Sequence, residues 1–375
     1  MDALLSLMRD TWHWAAGTSF GVAVILCVLF VVGFISVWAM FAVWLERKAS
    51  ADFQVRIGPN LVGPYGLLQS LADGLKLAFK EDLIPRESDR LLFIIAPAIA
   101  FCGAFAAFVA IPFSSAIHVV DVDLGVFFIL AVTAVGVIGV LMAGWSSNNK
   151  WSLYGAMREA AQLVSYEIPS ALALMVPVLV TGTLSLRKIV EYQCMPSGGD
   201  LEHASFLYLS PHGWLALYSP WTLVAFVIYA VASLAECKRA PFDLPEAESE
   251  LVSGFHTEYS GLRFSFFFLE EYGMMFVVSA VATAVFLGGW QPLPWLSFNL
   301  GALGLLGHLI GFGIFTAKTV FLVWVQIWLR WTLPRLRVDQ VMVMGYKYLI
   351  PIVLLALTLM ACYAYYGIRY VPGIG

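Results

Sequence analysis

A glutamate inside an apolar stretch is the residue whose type and position point most directly to chemistry. Glu167 lies within an apolar run from about residue 160 to residue 180, which is long enough to cross a bilayer. A charged side chain at the centre of a bilayer costs roughly 3 kcal/mol on insertion scales, so an intramembrane acid is a functional candidate by default. We therefore interpret Glu167 as a proton carrier.

Other acids lie near the same side of the predicted membrane. Ten of the 25 acidic residues belong to this set. Besides Glu167, they are Glu159, Glu236, Glu270 and Glu271 at the ends of apolar runs or inside them, and Asp243, Glu246, Glu248, Glu250 and Glu258 in one loop. Removal from water raises the pKa of a carboxyl group, and a group with a pKa near 7 can take up and release protons. Such acids, joined by water, predict a proton path.

The composition is that of a polytopic membrane protein. Of the 375 residues, 61% are hydrophobic and only 12% are charged, and the mean hydropathy is +0.83. The five cysteines are far apart and show no metal-binding spacing, which argues against an iron–sulfur cluster or another metal site in this chain. No glycine-rich phosphate loop follows a strand, so we expect this chain to bind no dinucleotide. The first residues predict no removable signal peptide.

Eight apolar segments are long enough to span a membrane as helices. They cover about residues 20–45, 91–113, 125–145, 159–181, 217–236, 263–288, 302–329 and 346–367. Of the 21 basic residues, sixteen lie in the loops on one side, four lie on the other side, and Lys318 falls inside a span. This asymmetry places the first group in the cytoplasm and both termini outside.

The cytoplasmic loop after the first span contains an amphipathic segment. From Leu67 to Glu81 the apolar residues, with the exception of Leu77, occupy an arc of about 140° on a helical wheel. One interpretation is an interfacial helix on the lipid headgroups. The other is a helix whose apolar face lines a cavity for a hydrophobic ligand that enters from the membrane.

Several longer motifs carry a resemblance to a known family. They are WLERK at 44–48, QVRIGPN at 54–60, GPYGLLQ at 63–69, ADG at 72–74, KED at 80–82, REAAQ at 158–162, SYE at 165–167, AE at 235–236, RAPFDLPEAESELV at 239–252, EYSG at 258–261, LPR at 333–335 and DQ at 339–340. Over essentially the whole chain, this set resembles the membrane-embedded H subunit of bacterial NADH:quinone oxidoreductase, respiratory complex I, whose mitochondrial counterpart is NADH dehydrogenase subunit 1.

The resemblance implies an all-α fold, with eight transmembrane helices and a cytoplasmic-side amphipathic helix in one membrane domain over residues 1–375. It also implies a multi-pass subunit of the bacterial inner membrane, at the junction with the hydrophilic arm. The partners would be the hydrophilic quinone-module subunits, including the one with the terminal iron–sulfur cluster, and small membrane-arm subunits. The substrate would be ubiquinone or menaquinone. This chain would bind no flavin, haem or iron–sulfur cluster and would supply no redox catalytic residue.

The resemblance assigns two groups of charged residues by position. The quinone tunnel would include Glu46, Arg47, Arg56 and Asp73. The proton path would include Glu159, Glu167, Glu236, Asp243, Glu246, Glu248, Glu250, Glu258 and Glu271. Three positions depart from the family pattern, namely Leu61, Ser70 and Glu270, and the outer loop at 184–217 matches no motif.

Alternatives remain open at this stage. Glu167 could form a permanent ion pair with a base such as Lys318, and the acidic loop could simply be solvated. The homologous membrane subunit of a membrane-bound hydrogenase or formate hydrogenlyase is the nearest rival, although the motifs from residue 58 to residue 81 favour complex I. A stand-alone secondary transporter would require internal repeats, which the sequence does not show.

Overall fold

The computed structural model describes residues 20–195, 207–209, 213–245 and 248–370. Its helices and strands follow in chain order: α1 (Phe20–Phe53), α2 (Gln69–Phe79), α3 (Arg90–Val109), α4 (Gly125–Ser146), α5 (Lys150–Thr181), α6 (Leu186–Gln193), β1 (Leu207–Leu209), α7 (Pro220–Glu236), α8 (Glu248–Leu251), α9 (Gly261–Phe286), β2 (Leu296–Phe298), α10 (Leu305–Thr332), α11 (Val338–Val343), a π-helical segment (Met344–Leu349) and α12 (Ile350–Tyr370). The predicted all-α fold is confirmed. Its strands, within the residues described, form one three-residue antiparallel pair, with Tyr208 opposite Ser297.

Seven helices in the described part of the chain are long and apolar enough to cross a membrane. They are α1, α3, α4, α5, α9, α10 and the continuous helix formed by α11, the π-helical segment and α12. The predicted fifth span corresponds to α7, which is apolar but has only 17 residues. That length is at the lower limit for a membrane helix, so the count of eight stays a prediction.

Three helices continue beyond the predicted membrane spans into charged sequence. Helix α1 ends at Phe53 rather than near residue 45, α5 begins at Lys150 rather than near 159, and the last helical segment begins at Val338 rather than near 346. With 32 residues, α5 is about 48 Å long, which exceeds the roughly 30 Å of bilayer hydrocarbon. Hydropathy marks the apolar part of such a helix, not its ends.

The predicted amphipathic helix is present as α2. It has no acidic residue in its first turn and carries Lys76 in its last turn, where a cation favours the helix dipole. Its apolar side chains Leu71, Leu75 and Phe79 are exposed, and Phe79 is 87% exposed. An interfacial helix and a helix that lines a cavity both require such an uncovered apolar face.

Helix α9 lies at the centre of the bundle. Every residue from Glu270 to Phe286 is buried, as expected for a helix with apolar residues on all sides. The ring of Phe276 on this helix packs against Phe34, Trp38 and Phe108, with centroid distances of 4.8 to 5.4 Å. Because α9 is enclosed on all faces, its two consecutive acids, Glu270 and Glu271, cannot reach bulk water.

Candidate functional site

The site begins where α7 ends. Past Glu236 the chain turns sharply, with Lys238 at a φ of 56°, an uncommon conformation for a lysine. The turn is closed by main-chain hydrogen bonds from Lys238 to Ala235 and from Arg239 to Leu234. Both basic side chains are consequently buried among α1, α5 and α9 rather than exposed in a cytoplasmic loop.

Arg239 joins acids from two helices. Its Nη1 donates to Oε1 of Glu46 at 2.8 Å, and its Nε lies 2.9 Å from Oε1 of Glu271. The guanidinium also lies over the ring of Tyr272, 4.9 Å from its centroid. Burial lowers the pKa of Arg239, but the carboxylates of Glu271 and Glu46 outweigh burial and hold that pKa well above its ordinary value. Arg239 is therefore a permanent positive charge.

Glu46 has two further partners. The hydroxyl of Tyr272 donates to its Oε2 at 2.6 Å, and Arg330 of α10 contacts its Oε1. The indole of Trp38 donates to the main-chain carbonyl of Tyr272, which fixes α1 against α9. Although Glu46 and Arg47 are consecutive, their side chains leave the helix about 100° apart. Glu46 consequently lies in the buried cluster and Arg47 does not.

Lys238 joins a second pair of acids. Its Nζ contacts Oε1 of Glu159 at 2.6 Å and Oε2 of Glu270 at 3.1 Å. Glu159 has no exposed surface, and the ring of Phe255 lies 5.3 Å from the ammonium. Because Lys238 and Arg239 are consecutive, as are Glu270 and Glu271, these two groups of ion pairs are neighbours. Together they are called the buried chain of charges.

The chain of charges, defined here as Glu46, Glu159, Glu270, Glu271, Lys238, Arg239 and Arg330, contains one more acid than base. Ionised carboxylates in a medium of low polarity are stable only when each is compensated. With four carboxylates and three bases, full ionisation would leave one negative charge without a base of its own.

Glu167 and Glu236 lie beside this chain of charges. Both line a cavity of about 20 Å³, together with Lys238, Glu270 and Thr133. That space is enough for about one water molecule. Oε1 of Glu236 has no hydrogen-bond partner within the described residues, and Ser170 is within hydrogen-bonding reach of the same carboxyl group. A water molecule here would connect Glu167 and Glu236 to the charged chain.

The alternative pairing of Glu167 with Lys318 is wrong. Lys318 lies toward the other end of the bundle, where its Nζ donates to the main-chain carbonyls of Leu287, Gly289 and Gln291. The ammonium also lies 4.8 Å from the ring centroid of Trp214. Glu167 thus does not owe its place in the membrane to that lysine.

The described loop acids have separate partners. Asp243 accepts from Arg335 at 2.8 Å, Glu250 from Arg158 at 2.6 Å, and Glu258 from Asn149 at 2.7 Å. The hydrogen bond and the charge of Arg158 lower the pKa of Glu250. Glu246 lies outside the described residues, and the side chain of Glu248 is also not described. Among the described members, Asp243 lies nearest in sequence to the charged chain.

The predicted tunnel residues separate into two places. Arg47 forms an ion pair with Asp73, which ties the end of α1 to α2. Arg56 is exposed and donates to Gln54, two residues earlier. The structure therefore brings Arg47 and Asp73 together beside the amphipathic helix but leaves Arg56 apart from them.

Aromatic rings cover the buried chain of charges on its loop side. Phe93 stacks on Tyr259 with a centroid distance of 4.0 Å, and Phe255 packs edge-on against Phe267. Next to Phe255, burial and the charge of Lys238 lower the pKa of His256 to about 4. This histidine is therefore neutral at physiological pH and does not add a charge to the site.

Sequence reasoning missed the bases of this site. Lys238 and Arg239 belong to the sixteen basic residues predicted in the cytoplasmic loops, and the family pattern assigns no role to Glu270. One signal was available, because two consecutive acids inside an apolar helix require buried bases nearby. Lys238 and Arg239 form an adjacent basic pair directly after Cys237, close to Glu236.

The fold and the site together define a class: a multi-pass helical membrane protein with a buried chain of acids and bases. A family described as NADH dehydrogenase matches residues 25–361. The chain belongs to this family, and the resemblance drawn from the motifs is confirmed.

Individual relatives point to the same family. Each of three carries the name of the H subunit of NADH-quinone oxidoreductase, and each is similar to this chain over nearly its whole length. The one from Chlorobaculum parvum is 47% identical, covering 94% of this chain and 96% of the relative. That from Bacteroides thetaiotaomicron is 40% identical, covering 98% and 97%. A third, from Dehalococcoides mccartyi, is 44% identical, covering 92% and 88%.

Proposed function

We propose that this chain is the membrane subunit of a proton-translocating NADH:quinone oxidoreductase, in which it couples quinone reduction to proton transfer through its buried acids. Membership of the family and the names of the relatives support the enzyme assignment. The observation that carries the coupling role is a pair of neighbouring buried ion clusters, with Glu46 and Glu271 on Arg239 and with Glu159 and Glu270 on Lys238.

The quinone end of the path would be at α1 and α2. Arg47 and Asp73 form an ion pair beside the exposed apolar face of α2, and Glu46 precedes Arg47 by one residue on the buried side of α1. A negative charge that develops on a reduced quinone near Arg47 would change the electrostatic potential at Glu46. Contacts of the carboxylate with Arg239 and Arg330 would pass that change into the buried chain of charges.

The proton end of the path would be the acid-lined cavity. A change in charge at Glu46 and Glu271 alters the field at Lys238 and Glu270, which share the cavity with Glu167 and Glu236. A water molecule between these carboxyl groups can carry a proton from one to the next. Asp243 and Glu250 would act as outlying charges, since each is held by its own arginine.

The substrate would be ubiquinone or menaquinone, with electrons delivered by a neighbouring hydrophilic subunit. The chain would lie in the bacterial inner membrane with both termini outside. A cysteine in place of Asp123, in the loop between α3 and α4, should then react with an impermeant reagent added from outside. One in place of Arg86, in the loop before α3, should be protected, and the reverse pattern would overturn the orientation.

The experiment that tests this function uses Glu167→Gln in the intact complex. Glutamine keeps the size and hydrogen bonding of the side chain but removes its proton. We expect normal assembly and normal NADH oxidation with a water-soluble artificial acceptor, together with a large loss of quinone-linked turnover and membrane potential in vesicles. Glu167→Asp should retain part of both, because it keeps a titratable proton at shorter reach.

A matched control is Glu191→Gln. Glu191 is an acid of α6 that forms an ion pair with Arg187, far along the chain from the proposed path. The same change of charge there should leave turnover and membrane potential normal. Normal pumping and turnover in Glu167→Gln would contradict the proposed function.

A further inference from the structure

A second cavity, of about 50 Å³, lies between helices α7, α9 and α10. Most of its lining is aliphatic or aromatic, including Phe226 and Leu329. Four polar residues also line it: Ser233 and Tyr229 from α7, Ser279 from α9, and Gln326 from α10. The cavity reaches the outer surface of the bundle at Ala230, whereas Gln326, Ser279, Ser233 and Tyr229 lie on its buried side. Several polar groups in its wall distinguish it from an ordinary packing defect, which is apolar.

Gln326 is the polar group that its protein surroundings leave incomplete. The residue is 7% exposed, and its Nε2 donates to Oγ of Ser279 at 3.3 Å. Its Oε1 has no hydrogen-bond partner within the described part of the chain. If the amide were rotated by 180°, Oε1 would accept a hydrogen bond from Ser279 and the NH2 group would be unpaired instead. Either orientation leaves one strong polar group of Gln326 to be paired by something in the cavity.

The other polar residues of the wall retain acceptor capacity. The hydroxyl of Ser233 donates to the carbonyl of Ala230 at 2.9 Å, and that of Tyr229 donates to the carbonyl of Val278 at 3.1 Å. A hydroxyl that donates once can still accept. A ligand that donates hydrogen bonds in more than one direction therefore suits this wall, whereas an acyl chain would leave Gln326 unpaired.

We propose that this cavity is an internal hydration site that holds about three water molecules against Gln326, Ser233 and Tyr229. The number follows from the cavity volume of about 50 Å³, since one water molecule needs roughly 15 Å³. Internal waters of this kind each make two to four hydrogen bonds to buried polar groups. The inference depends on this cavity alone and does not need the proposed function.

The hydration site lies close, along two helices, to two charged residues. Gln326 lies four residues before Arg330 on α10, so the two side chains occupy the same face of the helix. Ser233 lies three residues before Glu236 on α7. The hydration site therefore lies about one helical turn from Arg330 along α10 and from Glu236 along α7.

The test is to locate the waters directly in the intact complex. A cryo-EM map that resolves ordered water should show density within hydrogen-bonding distance of Gln326. Radiolytic hydroxyl-radical labelling in 18O-water should modify Leu234 or Val278, which line the cavity, because side chains beside bound water are oxidised although they are buried. Gln326→Leu, which replaces the amide with an apolar group of similar size, should abolish both the density and the labelling.

Thr319→Val provides the control. Thr319 lies on the same face of α10 as Gln326 and pairs with Thr283 of α9, but it does not line the cavity. If Gln326 only holds the two helices together, the two variants should behave alike, and neither should change the labelling. Under the hydration proposal, labelling is lost in Gln326→Leu alone.

If Gln326→Leu does not assemble, the cryo-EM map of the wild-type complex tests the proposal by itself. Density of a lipid chain in the cavity, or no ordered water beside Gln326, would overturn the proposal. Unchanged labelling in an assembled Gln326→Leu complex would also overturn it. Neither readout uses quinone turnover, so failure of the proposed function would leave this test intact.

Discussion

Two lysines lie among the helices of this protein, and their partners are of different kinds. The ammonium of Lys318 is surrounded by main-chain carbonyls that follow the end of α9. That of Lys238 contacts two carboxylates, Glu159 and Glu270. Both arrangements compensate a positive charge inside the bundle, but only the second one uses groups that can themselves bind a proton.

The difference separates a structural charge from a charge that can take part in proton transfer. Carbonyl groups at the end of a helix carry a partial negative charge and cannot be protonated at working pH, so Lys318 caps α9 through partners that do not bind protons. Carboxylates around Lys238 and Arg239 outnumber these two bases. The same type of buried residue is therefore held by main-chain groups at one end of the bundle and by the acids of the proposed proton path at the other.

The largest effect is expected from Arg239→Met. The change leaves Glu271 buried without its base and Glu46 with Arg330 alone, and an uncompensated buried charge costs about 3–5 kcal/mol. The complex should fail to assemble, as seen by native gel electrophoresis of solubilised membranes. Adding Glu271→Gln, which removes the unpaired acid, should restore much of the assembly. A double variant no better than the single one would show that Arg239 acts through something other than these carboxylates.

A comparison of Lys238→Met with Lys318→Met sharpens the contrast between the two ends. Lys238→Met should lower quinone-linked turnover at least about tenfold, which corresponds to about 1.4 kcal/mol of activation free energy. Lys318→Met removes three hydrogen-bond donors and should lower stability by about 1–3 kcal/mol, while the turnover of the assembled complex stays close to wild type. Turnover assays and thermal unfolding on the same preparations would measure both. Equal losses of turnover would contradict the distinction.

The smallest effect is expected at the exposed ion pair of Arg158 and Glu250. The pair holds the pKa of Glu250 below its usual value, so its contribution exists above the unfolded-state pKa of about 4.3 and disappears as pH falls through the lower folded-state value. Because the pair is largely solvated, Glu250→Gln should cost less than about 1 kcal/mol at pH 7. Thermal unfolding of variant and wild type should converge below about pH 4. A constant difference down to that pH would show that the ion pair is not its source.

Sequence reasoning recovered the acids better than their partners. Apolar runs around Glu167, and the doublet of Glu270 and Glu271, are visible because charge is so rare in such segments. Lys238 and Arg239 were not recognised, because one backbone turn after α7 carries them inward, and a turn of this kind leaves no periodic pattern. The predicted spans do not give the helix ends for a related reason, since α1 and α5 continue beyond their apolar segments into charged sequence.

The same limit applies to the two predicted groups of site residues. Glu46 and Arg47 are neighbours in the sequence and were assigned together to the tunnel, yet only Arg47 faces α2. Which helix each residue of the pair contacts depends on the packing of α1 against α9, over 200 residues later in the chain. Local patterns cannot supply such a long-range contact.

The central claim is that the buried carboxyl groups change protonation when quinone is reduced, and redox-difference infrared spectroscopy tests it most directly. Protonated carboxyl groups and carboxylates absorb at different frequencies, and the carboxyl band shifts in D2O. We predict that quinone reduction in the intact complex produces a carboxyl difference band, and that Glu159→Gln and Glu167→Gln remove part of it while Glu191→Gln does not. A difference spectrum without a carboxyl band, or one that none of these variants alters, would contradict the account.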